Sequence, residues 1–146
     1  MKILSNLFIA GLALLCVTSC KKNKEEISKT QLLTAANWRL IGHTSTNNTT
    51  GVTTDNYSSS PACAKDNEFT FTAAGVHEYT EGATKCNPAD PQVIYFASWK
   101  FLNNETVIEV VTGGLRLEYK VLGLSASELY MEASNATATD RVRFIH

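Results

Sequence analysis

The chain has 146 residues, 44% of them hydrophobic and 18% charged, with a formal net charge of −1. A nearly neutral chain has no basic field to hold a polyanion, and its aromatics are not interleaved with Lys or Arg as a single-strand platform requires, so nucleic acid is set aside as a partner. The length suffices for one domain with one core and not for two.

At the N-terminus, Lys2 supplies a positive region, residues 3–17 form an apolar run broken by Ser5, Asn6 and Gly11, and Thr18 and Ser19 lead into Cys20. That is the layout of a secretory signal. The run is shorter than the roughly 20 apolar residues that cross about 30 Å of hydrocarbon. Val17-Thr18-Ser19-Cys20 resembles the lipobox of bacterial lipoproteins, which implies removal of residues 1–19 and acylation of Cys20 as the new N-terminus. Cys16 follows the bulky Leu15 and leaves with the signal. Two or three acyl chains, at about 0.8 kcal/mol per buried methylene, hold a protein on a bilayer, so the membrane is an expected partner. Lys21-Lys22-Asn23-Lys24-Glu25-Glu26 reads as a solvated tether, and residues 20–27 are assigned to it. Lys at position 21 favours the outer membrane, with the domain facing either the periplasm or the cell surface.

Residues 28–146 make the domain. Ser28 is placed to cap a short helix over residues 29–36, with Leu32, Leu33 and Ala36 as its apolar stripe. Residues 38–43 read as the first strand, and the Ser, Thr and Asn of residues 44–61 as a long polar loop without core. Residues 66–72 and 76–80 are two strands joined at Ala73-Ala74-Gly75. Cys63 and Cys86, the cysteines left in an oxidising compartment, lie nearly symmetrically about that turn, so an antiparallel hairpin brings them together. Closing a loop of about 24 residues stabilises by roughly 3 kcal/mol in the chain-entropy model. Half of a metal site is the competing reading, and it lacks a second cysteine pair and well-spaced histidines.

After a turn-rich stretch at residues 82–91 comes a strand over 93–102, with Tyr95, Ala97, Trp99 and Phe101 on one face. Asn103-Asn104 signals a tight turn, residues 105–111 a strand, and Thr112-Gly113-Gly114 another turn. Residues 115–121 alternate most cleanly, with Leu115, Leu117, Tyr119 and Val121 inward and Arg116, Glu118 and Lys120 outward. Residues 123–127 turn the chain, 128–133 place Leu129 and Met131 inward, and 141–146 carry Val142 and Phe144. About eight short, half-polar antiparallel strands in up-and-down order close into a barrel, which removes exposed edges. At that strand number the interior holds packed side chains or one small ligand.

From about Leu32 onward the chain resembles the lipocalin-like domain of small Bacteroidota lipoproteins. The residues that carry this are Leu32-Leu33-Thr34-Ala35-Ala36-Asn37-Trp38-Arg39-Leu40, Cys63-Ala64-Lys65-Asp66-Asn67-Glu68-Phe69-Thr70-Phe71 with Gly75, Lys85-Cys86-Asn87-Pro88-Ala89-Asp90-Pro91, and Trp99-Lys100-Phe101. The resemblance implies a β-barrel and assigns no reaction. Trp38 resembles the tryptophan of the lipocalin Gly-x-Trp element, which implies that Arg141 or Arg143 covers it in a cation–π contact.

His43, His77 and His146 have no ligand spacing and read as surface residues, and no Gly-x-Ser-x-Gly elbow is present. The expectation is therefore no enzyme, no metal and no cofactor. Four Asn-x-Ser/Thr sequons, at Asn48, Asn56, Asn104 and Asn135, are read as coincidence. Phe71, Tyr79, Tyr95, Trp99, Tyr119 and Tyr130 are the candidate ligand-binding residues, as aromatics that could enclose an apolar molecule and orient it by hydroxyls; plain core packing competes. Two functions follow for a monomer: a barrel holding a small, partly apolar ligand, or a filled barrel that recognises a protein or glycan through its loops.

Overall fold

The computed structural model describes residues 26–146; the signal, the acylation site Cys20 and most of the tether expected from the sequence lie outside them. The described chain forms α1 (Lys29–Leu33), β1 (Trp38–Asn47), β2 (Thr53–Asp55), α2 (Ala62–Lys65), β3 (Glu68–Phe71), β4 (Val76–Thr80), β5 (Val93–Leu102), β6 (Val107–Thr112), β7 (Leu115–Leu124), β8 (Glu128–Ser134) and β9 (Ala138–Ile145). β1 and β3 to β9 pair antiparallel in chain order, and β9 returns to β1 over eight residue pairs. The result is the expected closed barrel of eight strands. β2 is an addition to it, paired to Thr44, Ser45 and Thr46 on the β1 edge that β3 leaves uncovered.

Alternation fills the barrel. Ala97 and Trp99 of β5, Ile108 and Val110 of β6, Leu129 and Met131 of β8 and Phe144 of β9 are buried together with Leu33, Trp38 and Phe71. Three register shifts interrupt this alternation among the described residues: one lies between Leu40 and Gly42 opposite β9, one between Tyr79 and Thr80 opposite β5, and one between Val121 and Gly123 opposite β8. A bulge inserts one extra residue and so changes which side chains face inward beyond it. The first sets His43 opposite Val142, inside the barrel.

One end is closed. Ser28 and Gln31 cap α1 reciprocally, which satisfies donors that a helix start leaves open, and the helix seals the barrel floor with Leu33. Trp38 Nε1 donates to the Leu33 carbonyl at 2.8 Å. The β5–β6 turn beside α1 is left-handed at three successive residues, Asn103, Asn104 and Glu105, with φ of 52°, 54° and 59°. Such backbone costs about 1–2 kcal/mol per non-glycine residue. It is held by Lys29 Nζ, which donates to the Glu105 carbonyl at 2.8 Å, and by Thr30 Oγ1, 3.1 Å from Glu105 Oε1.

Several expectations need correction. The helix stops at Leu33, so Leu33 alone of its expected stripe is buried and Ala36 is exposed. Residues 44–47 and 53–55 form a hairpin rather than a loop, because Thr and Ser suit a half-exposed pleated edge and both β9 and β2 supply partners. Among the described residues no arginine covers Trp38. Arg141 and Arg143 alternate with the inward Val142 and Phe144, so they face solvent and pair with Glu132 and Glu128, while the His146 ring lies over Trp38 at 4.0 Å.

The Cys63–Cys86 disulfide closes the open end of the β3–β4 hairpin, as expected. The loop it tethers is also fastened by Asp66, whose carboxylate accepts from the Thr84 N–H at 2.9 Å and its hydroxyl at 2.8 Å. Gly82 permits this approach: a Cβ there would lie 2.0 Å from the Asp66 carbonyl oxygen.

Candidate functional site

The closed half of the barrel is packed solid, with Trp38, Leu33 and Leu129 fully buried. Toward the other end lies a cavity of about 200 Å³, walled by Leu40, Phe69, Phe71, Ile108, Val110, Leu117, Met131, Val142 and Phe144 and dotted with His43, His77, Tyr95, Thr112 and Tyr119. An apolar cavity of about 150 Å³ takes benzene, and sites for drug-sized molecules begin near about 300 Å³. The space therefore fits one ring or a short branched chain.

His77 is the most buried polar group on this wall, at 3% exposure. It stacks on Phe71 with ring centroids 4.4 Å apart. Its Nδ1 lies 2.9 Å from the Thr70 carbonyl, an acceptor only, so Nδ1 carries the proton and Nε2 is left as an acceptor turned to Tyr95. The Tyr95 hydroxyl is 3.4 Å from that nitrogen, a long contact. Burial lowers the His77 pKa below the usual imidazole value, against a smaller upward pull from its Thr70 hydrogen bond and from Glu78. Burial likewise pushes the Tyr95 phenol up to about 12. At neutral pH the site thus presents a neutral imidazole and a phenol that can donate.

The cavity widens into a recess of about 630 Å³ that shares His43, Leu117, Tyr119 and Val142 with it and adds Asp140, Ala133, Ser134 and Asn135. His43 Nε2 lies 3.1 Å from Asp140 Oδ1, both side chains about a third exposed. Burial, and secondarily the Asp140 charge, raises the Tyr119 pKa.

Of the six aromatics singled out from the sequence, Phe71, Tyr95 and Tyr119 line the cavity. Tyr79 and Trp99 face inward but are used in packing: Tyr79 lies against Phe69 and accepts from Asn67 Nδ2 at 2.9 Å, and Trp99 Nε1 donates to the Thr72 carbonyl at 3.0 Å. Tyr130 points outward under the Arg143 guanidinium, because its neighbours Leu129 and Met131 point in. Sequence reasoning put His43 and His77 on the surface; both are inside. The signal for His77 was present, since it shares the parity of Tyr79 and pairs with Phe71. No such signal existed for His43, whose direction depends on the β1 bulge. Asp140 lies one residue before the last strand read from the sequence, residues 141–146, and so carried no predicted direction. Among the described residues no three His, Cys, Asp or Glu side chains gather as a metal site requires.

No protein-family model, curated protein or solved structure matches the chain.

Proposed function

We infer that this protein is a lipid-anchored, lipocalin-like envelope barrel that binds a small, partly apolar molecule in the open half of its interior. The observation that carries this reading is the cavity of about 200 Å³ behind the recess. Apolar walls with a few converging polar groups are the usual make-up of a small-molecule site, and here the polar groups are the His77 imidazole, the Tyr95 and Tyr119 hydroxyls and the His43–Asp140 pair. The apolar part of the ligand would sit against Ile108, Val110 and Phe144, and a hydroxyl, carbonyl or amine would meet the polar groups above.

Val17-Thr18-Ser19-Cys20 and the polar run after it support lipidation and an outer-membrane location, and the lipocalin-like pattern from Leu32 onward supports a carrier. The chain joins the barrel through α1 at its closed end. An anchor at Cys20 would hold that end toward the bilayer and turn the mouth to solvent. One observation favours the second reading, an envelope protein that recognises a protein or glycan by its rim: the closed half is filled, so ligand space is confined to one ring's worth.

Native mass spectrometry of the protein purified gently from its own host tests the first reading. A mass excess that disappears on denaturation is expected; a bare mass at every stage of purification would contradict it.

A further inference from the structure

Pairing between β7 and β8 runs from Leu124 and Leu129 to Lys120 and Glu132 and stops, although β7 extends back to Leu115 and β8 on to Ser134. Had the ladder continued, Glu118 would face Ser134. Alternate residues of an antiparallel strand direct their main-chain N–H and C=O groups to opposite neighbours. The Val121 N–H bonds to the Thr106 carbonyl on the β6 side, so Arg116, Glu118 and Lys120 direct theirs toward β8, where Lys120 alone pairs. On the opposite bank the Asn135 N–H bonds to the Ala138 carbonyl on the β9 side, so Ser134 directs its groups toward β7. The recess of about 630 Å³ lies in this splay, with Arg116 to Tyr119 on one bank and Ala133 to Asn135 on the other. It is a slot in the barrel wall, flanked by free strand edges and backed by a cavity.

We propose that this slot binds an extended segment of another polypeptide, which lies along the free edge of β7 and sets one apolar side chain through the wall into the inner cavity. The inference rests on the cavity of the reading above and gives it a different occupant, one side chain of a polypeptide in place of a free small molecule. Strand addition takes affinity from main-chain hydrogen bonds and specificity from pockets for alternate side chains. Both parts are present: unpaired groups on Arg116, Glu118 and Ser134, and a cavity of about 200 Å³, the size of one aromatic or branched side chain. Charge adds a second selection. On the rim Arg116 is engaged by Glu109 and Glu118, whereas the inward-facing Asp140 has the His43 ring and, among the described residues, no Lys or Arg. Side chains two apart on a strand share a face. The segment that fits carries an aromatic or branched residue with a Lys or Arg two positions away, the first in the cavity and the second at Asp140.

The test is a titration of the ¹⁵N-labelled full chain with the blocked peptide Ac-Thr-Ser-Phe-Thr-Lys-Ser-Thr-NH₂ and, separately, with indole. The peptide is expected to shift the amides of Arg116, Glu118 and Ser134, and replacing its Phe by Ser should weaken binding roughly ten- to a hundredfold. Replacing its Lys by Glu should weaken binding about tenfold, and Asp140→Lys should restore the loss for that altered peptide. Indole binding without peptide binding would overturn strand addition and leave the cavity reading standing. Binding of neither would overturn both. Peptide shifts away from the slot, or equal binding of the Phe-less peptide, would also overturn the proposal.

Discussion

Val110→Ile separates an empty cavity from a filled one. Val110 is 5% exposed and forms part of the cavity wall. The substitution keeps the β-branch that suits a strand and adds one methylene toward a space of about 200 Å³. Burying a methylene stabilises by about 0.8 kcal/mol, less a few tenths for the added rotamer restriction. The net gain is about 0.5 kcal/mol, which raises the melting temperature of a domain this size by roughly 2–3 °C. Leu129→Ala is the contrasting control. Leu129 is fully buried and stands outside the cavity lining, so its truncation should cost about 2–5 kcal/mol. Thermal and guanidinium unfolding of the ligand-free protein at neutral pH reads both. Destabilisation of Val110→Ile by about 1–3 kcal/mol, the usual cost of overpacking, would show that the space is not there.

Other expectations follow from the same geometry. Cys63→Ser together with Cys86→Ser should cost about 3 kcal/mol, because the bridge spans a sequence separation of 23; an unchanged guanidinium midpoint would mean that the Asp66–Thr84 bonds already hold the loop. Gly82→Ala should cost more than about 3 kcal/mol, since its Cβ would meet the Asp66 carbonyl oxygen at 2.0 Å and backbone must part from backbone; near-native stability would contradict the close approach. His77 has a folded-state pKa lowered by burial, so the unfolded chain takes up the proton first as pH falls. Its stabilising contribution is complete above the unfolded value of about 6.5 and is lost as pH drops from there toward the lowered folded value. His77→Phe, which keeps the stack on Phe71, should flatten the fall in melting temperature between pH 7 and pH 5; an unchanged slope would place the acid sensitivity elsewhere.

Period-2 alternation made much of the barrel legible. Leu117, Tyr119 and Val121 of β7 read correctly because polar and apolar residues alternate there without interruption, whereas in β5 the outward face also carries Ile94 and Phe96, so Tyr95, Ala97, Trp99 and Phe101 could be grouped on one face but not assigned to the inside. The cysteine pairing was legible for a topological reason, two positions symmetric about one turn. The rest depended on partners. Thr44 to Asn47 and Ala138 to Asp140 have loop-like compositions and become strands because each supplies the other's ladder. The inward turn of His43 comes from a bulge, and a bulge is set by pairing across strands rather than by local sequence. Leu115 was read as inward and is 57% exposed, since it stands at the rim where β7 has lost β8. That loss of pairing, which makes the slot, left no mark in the residue pattern. Tyr130 is the opposite case: the inward Leu129 and Met131 on either side already placed it outside.

The cavity itself is the claim on which the functional reading depends, and a crystal of the protein pressurised with xenon tests it without knowledge of any ligand. Xenon occupies apolar cavities that water leaves empty. The expected result is one xenon atom among Ile108, Val110, Met131 and Phe144, with none beside Leu33 or Leu129. A barrel interior without xenon, with side chains meeting across the space, would contradict the account.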